Sequence, residues 1–217
     1  MAERTEPACI YVLAGTNGAG KSSVGGAAIR EKGADYFNPD DATRRIRSAN
    51  PRVSERDANI AAWREGTRLL EEAIARRLVF AIETTLGGAT ITALLLGALA
   101  EGVDVRVWYV GLAGPKLHIA RVRARVARGG HDIPASIIRE RYDRSRINLI
   151  RLLPHLTELR VFDNSADADP AAGAAPAPLL VLHMLNGTIA ATCDLSLVPE
   201  WAKPIVAAAA RSSTTPL

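Results

Sequence analysis

The stretch "GTNGAGKSS", residues 15–23, limits what this chain can fold into more than any other segment. Gly15, Gly20, Lys21 and Ser22 fill the pattern G-x-x-x-x-G-K-[ST], with the apolar run "CIYVLA" directly before it and a helical pattern opening at Ser22. A strand, a glycine loop and a helix in that order make a cradle for nucleotide phosphate. Backbone N–H groups along Gly15, Thr16, Asn17, Gly18, Ala19, Gly20 and Ser23 turn toward phosphate oxygens. Lys21 neutralises their charge, and the Ser22 hydroxyl is placed to ligate Mg²⁺. A glycine-rich turn carrying a surface lysine is the bland alternative, and the flanking strand and helix argue against it.

The rest of the chain alternates in the way such a loop requires. Strand-like runs "ACIYVLAG", "ADYFN", "LVFAIE", "VDVRVWYVGL" and "LRVFDNS" are separated by helical patterns from Ser22, over residues 58–77, over 89–101 and through an arginine-rich stretch. The fold expected is α/β, a doubly wound, mainly parallel sheet with helices on both faces. Residues 1–165 read as this core, with an arginine-rich helical lid at about 115–150. A loop or linker, "ADADPAAGAAPAP", follows at 166–178. Then comes a hairpin turning at Asn186 and Gly187, a pair that tolerates positive φ. A short helix over 201–210, packed on the core, and a disordered "RSSTTPL" complete the reading.

Composition narrows the functions. The chain has 217 residues, 48% apolar, 23% charged and 5% aromatic, enough for one main globular domain with a sizeable core. A net charge of +4 suits a handler of anions. The arginines form no uniform basic tract and aromatics are scarce, so nucleic acid is not the expected partner. Cys9 and Cys193 lie far apart and form no metal or disulfide pattern, which suits the reducing cytoplasm. The uncharged run 84–100 is short for a membrane span, and the N-terminal residues lack the order of a signal peptide.

Open α/β sheets bind ligands at the carboxyl ends of their strands. The second strand runs into "PDDATRR", which places Asp40 and Asp41 at that edge; the third delivers Glu83, then Thr84 and Thr85. One carboxylate can deprotonate an attacking hydroxyl, and another can hold Mg²⁺ directly or through water. Capping of a helix beginning near Ala42 is the competing role for the aspartates. Glu83, ending an apolar run, would otherwise be a charge at the core edge without a partner. In "RVRARVARGGHDIPASIIRERYDRSRINL", residues 121–149, Arg121, Arg125 and Arg128 share one helical face, and Arg139, Arg141, Arg144 and Arg146 line a second segment. Joined by "GGHDIP", the two segments look like a lid supplying cations to a transferring phosphoryl group, with Arg128 favoured and Arg125 beside it; a solvated helix face paired with Glu140 and Asp143 is the ordinary reading for most of these residues. The helical region with Trp63, Arg64 and Arg68 is placed beside the acceptor pocket, Arg64 as a contact, although its pattern equally suits a helix with one core face.

Together, "GTNGAGKSS", "FNPDDATRRI", "FAIETTLGG" and the lid segment resemble the zeta toxin family of P-loop kinases, in particular its small stand-alone, chromosomally encoded members, over roughly residues 8–165. The resemblance implies a kinase-like P-loop NTPase core and ATP-dependent phosphorylation of a sugar hydroxyl, UDP-N-acetylglucosamine being the substrate of the toxin members. It puts Asp40 at the catalytic aspartate, Lys21 and Ser22 at the phosphate and Mg²⁺ positions, Glu83 at the acidic residue after the third strand, and Arg128 among the lid arginines. The "N-x-D" register selects Asp40, and a shift by one residue would select Asp41. An antitoxin protein whose helix blocks the ATP site also follows only from the resemblance. The chain is shorter than the well-known toxin members and continues past the core into an extension they do not explain. A small-molecule kinase is therefore the leading expectation. The alternatives are a nucleotide-dependent ATPase switch acting on a partner protein and a nucleic-acid end kinase.

Overall fold

The computed structural model describes residues 8–26, 29, 35–166 and 178–213. Its centre is a seven-stranded sheet in the order β2-β3-β1-β4-β5-β6-β7. The strands are β1 (Cys9–Ala14), β2 (Asp35–Phe37), β3 (Val79–Thr84), β4 (Asp104–Gly111), β5 (Glu158–Asp163), β6 (Leu179–Leu185) and β7 (Thr188–Thr192). The first five run parallel, and β6 and β7 add antiparallel at the β5 edge. Helix α1 (Lys21–Val24) follows the phosphate loop, and α2 (Pro39–Ala49), α3 (Glu55–Ala75), α4 (Ala89–Ala100), α5 (Pro115–Val126), α6 (Ala135–Leu152) and α7 (Lys203–Ser213) complete the framework.

Burial on both faces explains the near-continuous apolar run of β1. Ile10, Val12 and Ala14 face the main core with residues of α3, α4, α6 and α7. Leu13 turns to the opposite face with Ala19, Ile29, Ala81 and Val110. Because β1 lies between β3 and β4, the chain reverses its direction of winding there, and the carboxyl end of β1 becomes the crevice where open α/β sheets hold ligands. The parallel register sets Leu13 opposite Glu83, which brings that carboxylate beside the start of the glycine loop.

The hairpin turns where expected, with φ of 47° at Asn186 and 75° at Gly187. It extends the sheet at the β5 edge. The last helix runs to Ser213, so Arg211–Ser213 are helical where disorder was expected; 214–217 and most of the linker, 167–177, lie outside the described residues. The expected helix from Ser22 begins one residue earlier, at Lys21, and residues 27, 28 and 30–34 likewise lie outside the described residues. Cys9 and Cys193 are free thiols, Cys9 buried and Cys193 half-buried. No helix among the described residues is long and apolar enough to cross a membrane.

The C-terminal segment is keyed to the core by Trp201, which is 3% exposed. Its ring lies on Gly111, where a Cβ would meet the indole at 2.4 Å, and its Nε1–H donates to Asp163 Oδ1 at 2.8 Å. Trp201→Ala is expected to cost about 3–5 kcal/mol, as large-to-small changes of buried aromatics do. Urea denaturation measures this, and a loss below about 1 kcal/mol would mean that the extension is not integral to the core.

Candidate active site

The phosphate loop is held from three sides. A Cβ on Gly15 (φ 141°) would meet the Val110 carbonyl oxygen at 2.1 Å, so only glycine allows the loop to leave β1 against β4. A Cβ on Gly18 (φ 84°) would meet the His118 carbonyl oxygen at 2.7 Å, which packs the first turns of α5 directly on the loop. Buried Asn164, just beyond β5, donates from Nδ2 to the Ala19 carbonyl at 2.9 Å. Among the described residues the N–H groups of Gly18, Gly20, Lys21 and Ser22 find no acceptor. Converging unpaired N–H groups make a concavity suited to an anion.

Glu83 is the hub of the polar groups below the loop. Its Oε2 accepts from the hydroxyls of Tyr36 at 2.7 Å and Ser22 at 2.9 Å and from Asn38 Nδ2 at 3.1 Å. Its Oε1 lies 3.6 Å from Lys21 Nζ, which donates to the Gly15 carbonyl at 2.9 Å. The partner that an acid at the end of an apolar strand needs is thus a lysine and three neutral donors. Two neighbouring ligands of octahedral Mg²⁺, each about 2.0–2.1 Å from the metal, stand about 2.9 Å apart, the separation of Ser22 Oγ and Glu83 Oε2. No group of three His, Cys, Asp or Glu side chains placed to hold a metal occurs among the described residues. A hydroxyl and one carboxylate, completed by phosphate and water, is the donor set Mg²⁺ commonly uses.

The aspartates separate clearly. Helix α2 begins at Pro39, three residues before the expected start, and Asn38 caps it by accepting from the N–H groups of Asp40 and Asp41 at 2.8 and 3.4 Å. Neither aspartate is spent on capping. Asp40 lines a cavity of about 240 Å³ that reaches Lys21 and Glu83, whereas Asp41 is absent from its lining and pairs with Arg44. Thr84 and Thr85 also line the cavity; the Thr84 hydroxyl accepts from the Leu86 N–H, and the Thr85 carbonyl accepts from Ser145.

The arginines do not all fall where spacing suggested. Helix α5 ends at Val126, so Arg128 leaves the face of Arg121 and Arg125; it is exposed, with Nε on the Ala124 carbonyl. Arg125 stays at the site, 3.4 Å from Asp40 Oδ2, and donates to the His131 carbonyl at 2.9 Å. The second cation there is Arg141, which donates to Asn17 Oδ1 at 2.8 Å and lines the cavity; its burial pulls its pKa below the ordinary guanidinium value. Gly87 leaves room for its stem. Further down the same face of α6, Ser145 and Asn148 bond the carbonyls of Thr85 and Leu86. Both lid helices are thus fastened to the core, and the turn between them, 127–134, is tied down as well, since His131 pairs with Glu55 of α3. Arg64, expected at the acceptor, is exposed and absent from the cavity lining; α3 presents Asn59, Trp63, Gly66 and Thr67 instead. Ser23 is exposed, and Thr16 is buried with its hydroxyl 3.5 Å from the Arg141 carbonyl.

His118 supports the loop from α5, its Nδ1–H donating to the Asn17 carbonyl at 2.9 Å. Burial, helped by the charges of Lys21 and Arg121, pushes its pKa down to about 4. An unfolded chain would protonate it near its ordinary value of about 6.5. The stability contributed by neutral His118 is complete above that pH and is lost as pH falls toward 4, to a total of roughly 3 kcal/mol. His118→Asn keeps a donor without a titration, so its melting temperature is expected to fall less than wild type's between pH 7 and 4.5; identical acid profiles would contradict this.

Comparison with known proteins agrees with the architecture. An uncharacterised protein of Haemophilus influenzae is 33% identical over 129 residues, covering 59% of this chain and 88% of that protein. The solved complex of AvrRxo1-ORF1 and AvrRxo1-ORF2 with ATP is similar at 14% identity and a TM-score of 0.62, covering 100% of this chain and 67% of that one. A structure from the PezAT chromosomal toxin–antitoxin system of Streptococcus pneumoniae is similar at 14% identity and a TM-score of 0.50, covering 74% of this chain and 69% of that one. At these identities the structures speak for the fold alone, and the fold is that of a P-loop NTPase. The family model of the zeta toxins matches residues 1–168, and this chain belongs to that family.

Proposed function

We propose that the protein is an ATP-dependent kinase that transfers the γ-phosphate to a hydroxyl of a small molecule bound in the cavity between α3 and the phosphate loop. The observation that carries this reading is the continuity of that cavity. Lys21, Glu83 and Asp40 all line it, so a nucleotide phosphate and an acceptor hydroxyl can meet there. Asp40 accepts the proton of the attacking hydroxyl, and Arg125 holds the carboxylate in place. Lys21 and Arg141 neutralise charge on the transferring group, and the loop N–H groups fix the phosphates. Ser22 and Glu83 would hold Mg²⁺, which when bound neutralises charge on the phosphate oxygens.

UDP-N-acetylglucosamine, the family's toxin substrate, is the first acceptor to test, and a small antitoxin covering the ATP site is the partner proposed with it. ATP consumption is expected to rise about tenfold or more when acceptor is added, because only a bound hydroxyl completes the site. Rapid ATP hydrolysis that no acceptor alters would contradict the kinase and favour a nucleotide switch.

A further inference from the structure

We propose that Trp63, with Asn59 one turn before it, is the platform that recognises the ring of the acceptor and thereby selects which compound is phosphorylated; this rests on the kinase reading above. Helix α3 buries Ala58, Ala62, Gly66, Leu70 and Ala73, and that orientation brings Asn59 and Trp63 to the cavity wall. Trp63 is 50% exposed. Among the described residues its indole stacks on no ring and its N–H has no acceptor. A half-exposed indole on an outer helix face would call for no explanation. This one stands in the same wall as Asp40, the proposed base.

Asn59 gives the platform a direction. Its Oδ1 accepts from the Thr43 hydroxyl at 3.0 Å, which leaves the amide N–H groups as donors on the helical turn before Trp63. Phe37, Ile82 and Ile91 add apolar lining, and Gly66 makes room for the Phe37 ring, which a Cβ would meet at 2.6 Å. An aromatic face, a donor at its edge and a carboxylate further along match a molecule with a ring that has an apolar face, an oxygen on the ring's edge and a free hydroxyl. Sugar rings and nucleosides share that chemistry. Loss of one ring-on-aromatic contact weakens binding by about ten- to a hundredfold.

Trp63→Ala and Trp63→Phe test this with the acceptor found by phosphorylation screening, beginning with UDP-N-acetylglucosamine. In Trp63→Ala the acceptor KM is expected to rise about ten- to a hundredfold, with the ATP KM and kcat within about threefold of wild type. Trp63→Phe should recover most of the loss. Acceptor should also quench tryptophan fluorescence in wild type and not in Trp63→Phe, a readout independent of turnover. Comparing free sugar with nucleotide sugar tells which ring is held: a defect in both places the sugar on Trp63, and a defect in the nucleotide sugar alone places the base there. An unchanged acceptor KM in Trp63→Ala, with wild type active, would overturn the assignment alone. An inactive wild type would overturn the kinase reading, and the assignment with it.

Discussion

Asp40→Ala is expected to lower turnover by about two to four orders of magnitude, the usual contribution of a positioned general base, while ATP affinity changes by no more than a few-fold. The carboxylate stands in the acceptor cavity, and its main polar contact is Arg125 at 3.4 Å, so its removal leaves the phosphate loop and Glu83 untouched. Asp41→Ala should retain near-wild-type activity, since Asp41 is engaged with Arg44 outside the cavity. Steady-state kinetics on the two variants separates them. A large loss in Asp41→Ala and none in Asp40→Ala would move the base by one residue and require α2 to turn on binding.

Lys21→Ala should be more damaging, because one side chain serves two purposes. As a charged donor to phosphate it contributes about ten- to a hundredfold to ATP affinity. As a cation over the transferring group it contributes about a further hundred- to thousandfold to the rate. The expected loss in kcat/KM is therefore about three to five orders of magnitude. The ammonium is also the only cation within ion-pair distance of Glu83 among the described residues, at 3.6 Å, and both side chains are largely buried. A lower melting temperature should accompany the loss of activity, since removing one partner leaves the other charge poorly compensated. Isothermal titration with ATP measures the first effect, and full ATP affinity in the variant would remove the lysine from the phosphate site.

How much of this was legible in the sequence depended on how local the determining contacts are. The glycine loop, the end of β3 carrying Glu83 and the Asn186–Gly187 turn announce themselves through short-range patterns and stand where those patterns put them, whereas Asp40 lies in the first turn of α2, which starts earlier than its pattern suggests. Asn38 was missed as the cap of α2, although an asparagine followed by proline is a local signal for a helix start. Arg141 was ranked below Arg128 because spacing alone cannot tell a core-facing arginine from a solvated one. The useful signal was the position of Arg141 on the same face as Ser145, Asn148 and Leu152, a stripe that is buried below it. His118 and Asn164 could not have been found from any window of sequence, since they bond residues of the loop more than a hundred positions away. The hairpin was readable as a hairpin, but its addition to the β5 edge depends on backbone pairing that leaves no mark in its own residues.

The central claim is that nucleotide phosphate and acceptor hydroxyl meet in one cavity beside Asp40. Mass spectrometry tests it most directly. Wild-type and Asp40→Ala protein are each incubated with ATP and Mg²⁺ against nucleotide sugars, free sugars and a cell metabolite extract. A compound made heavier by one phosphate with wild type, and absent or strongly reduced with the variant, is the predicted result. ATP binding without any phosphorylated compound in the panel or the extract would contradict the account.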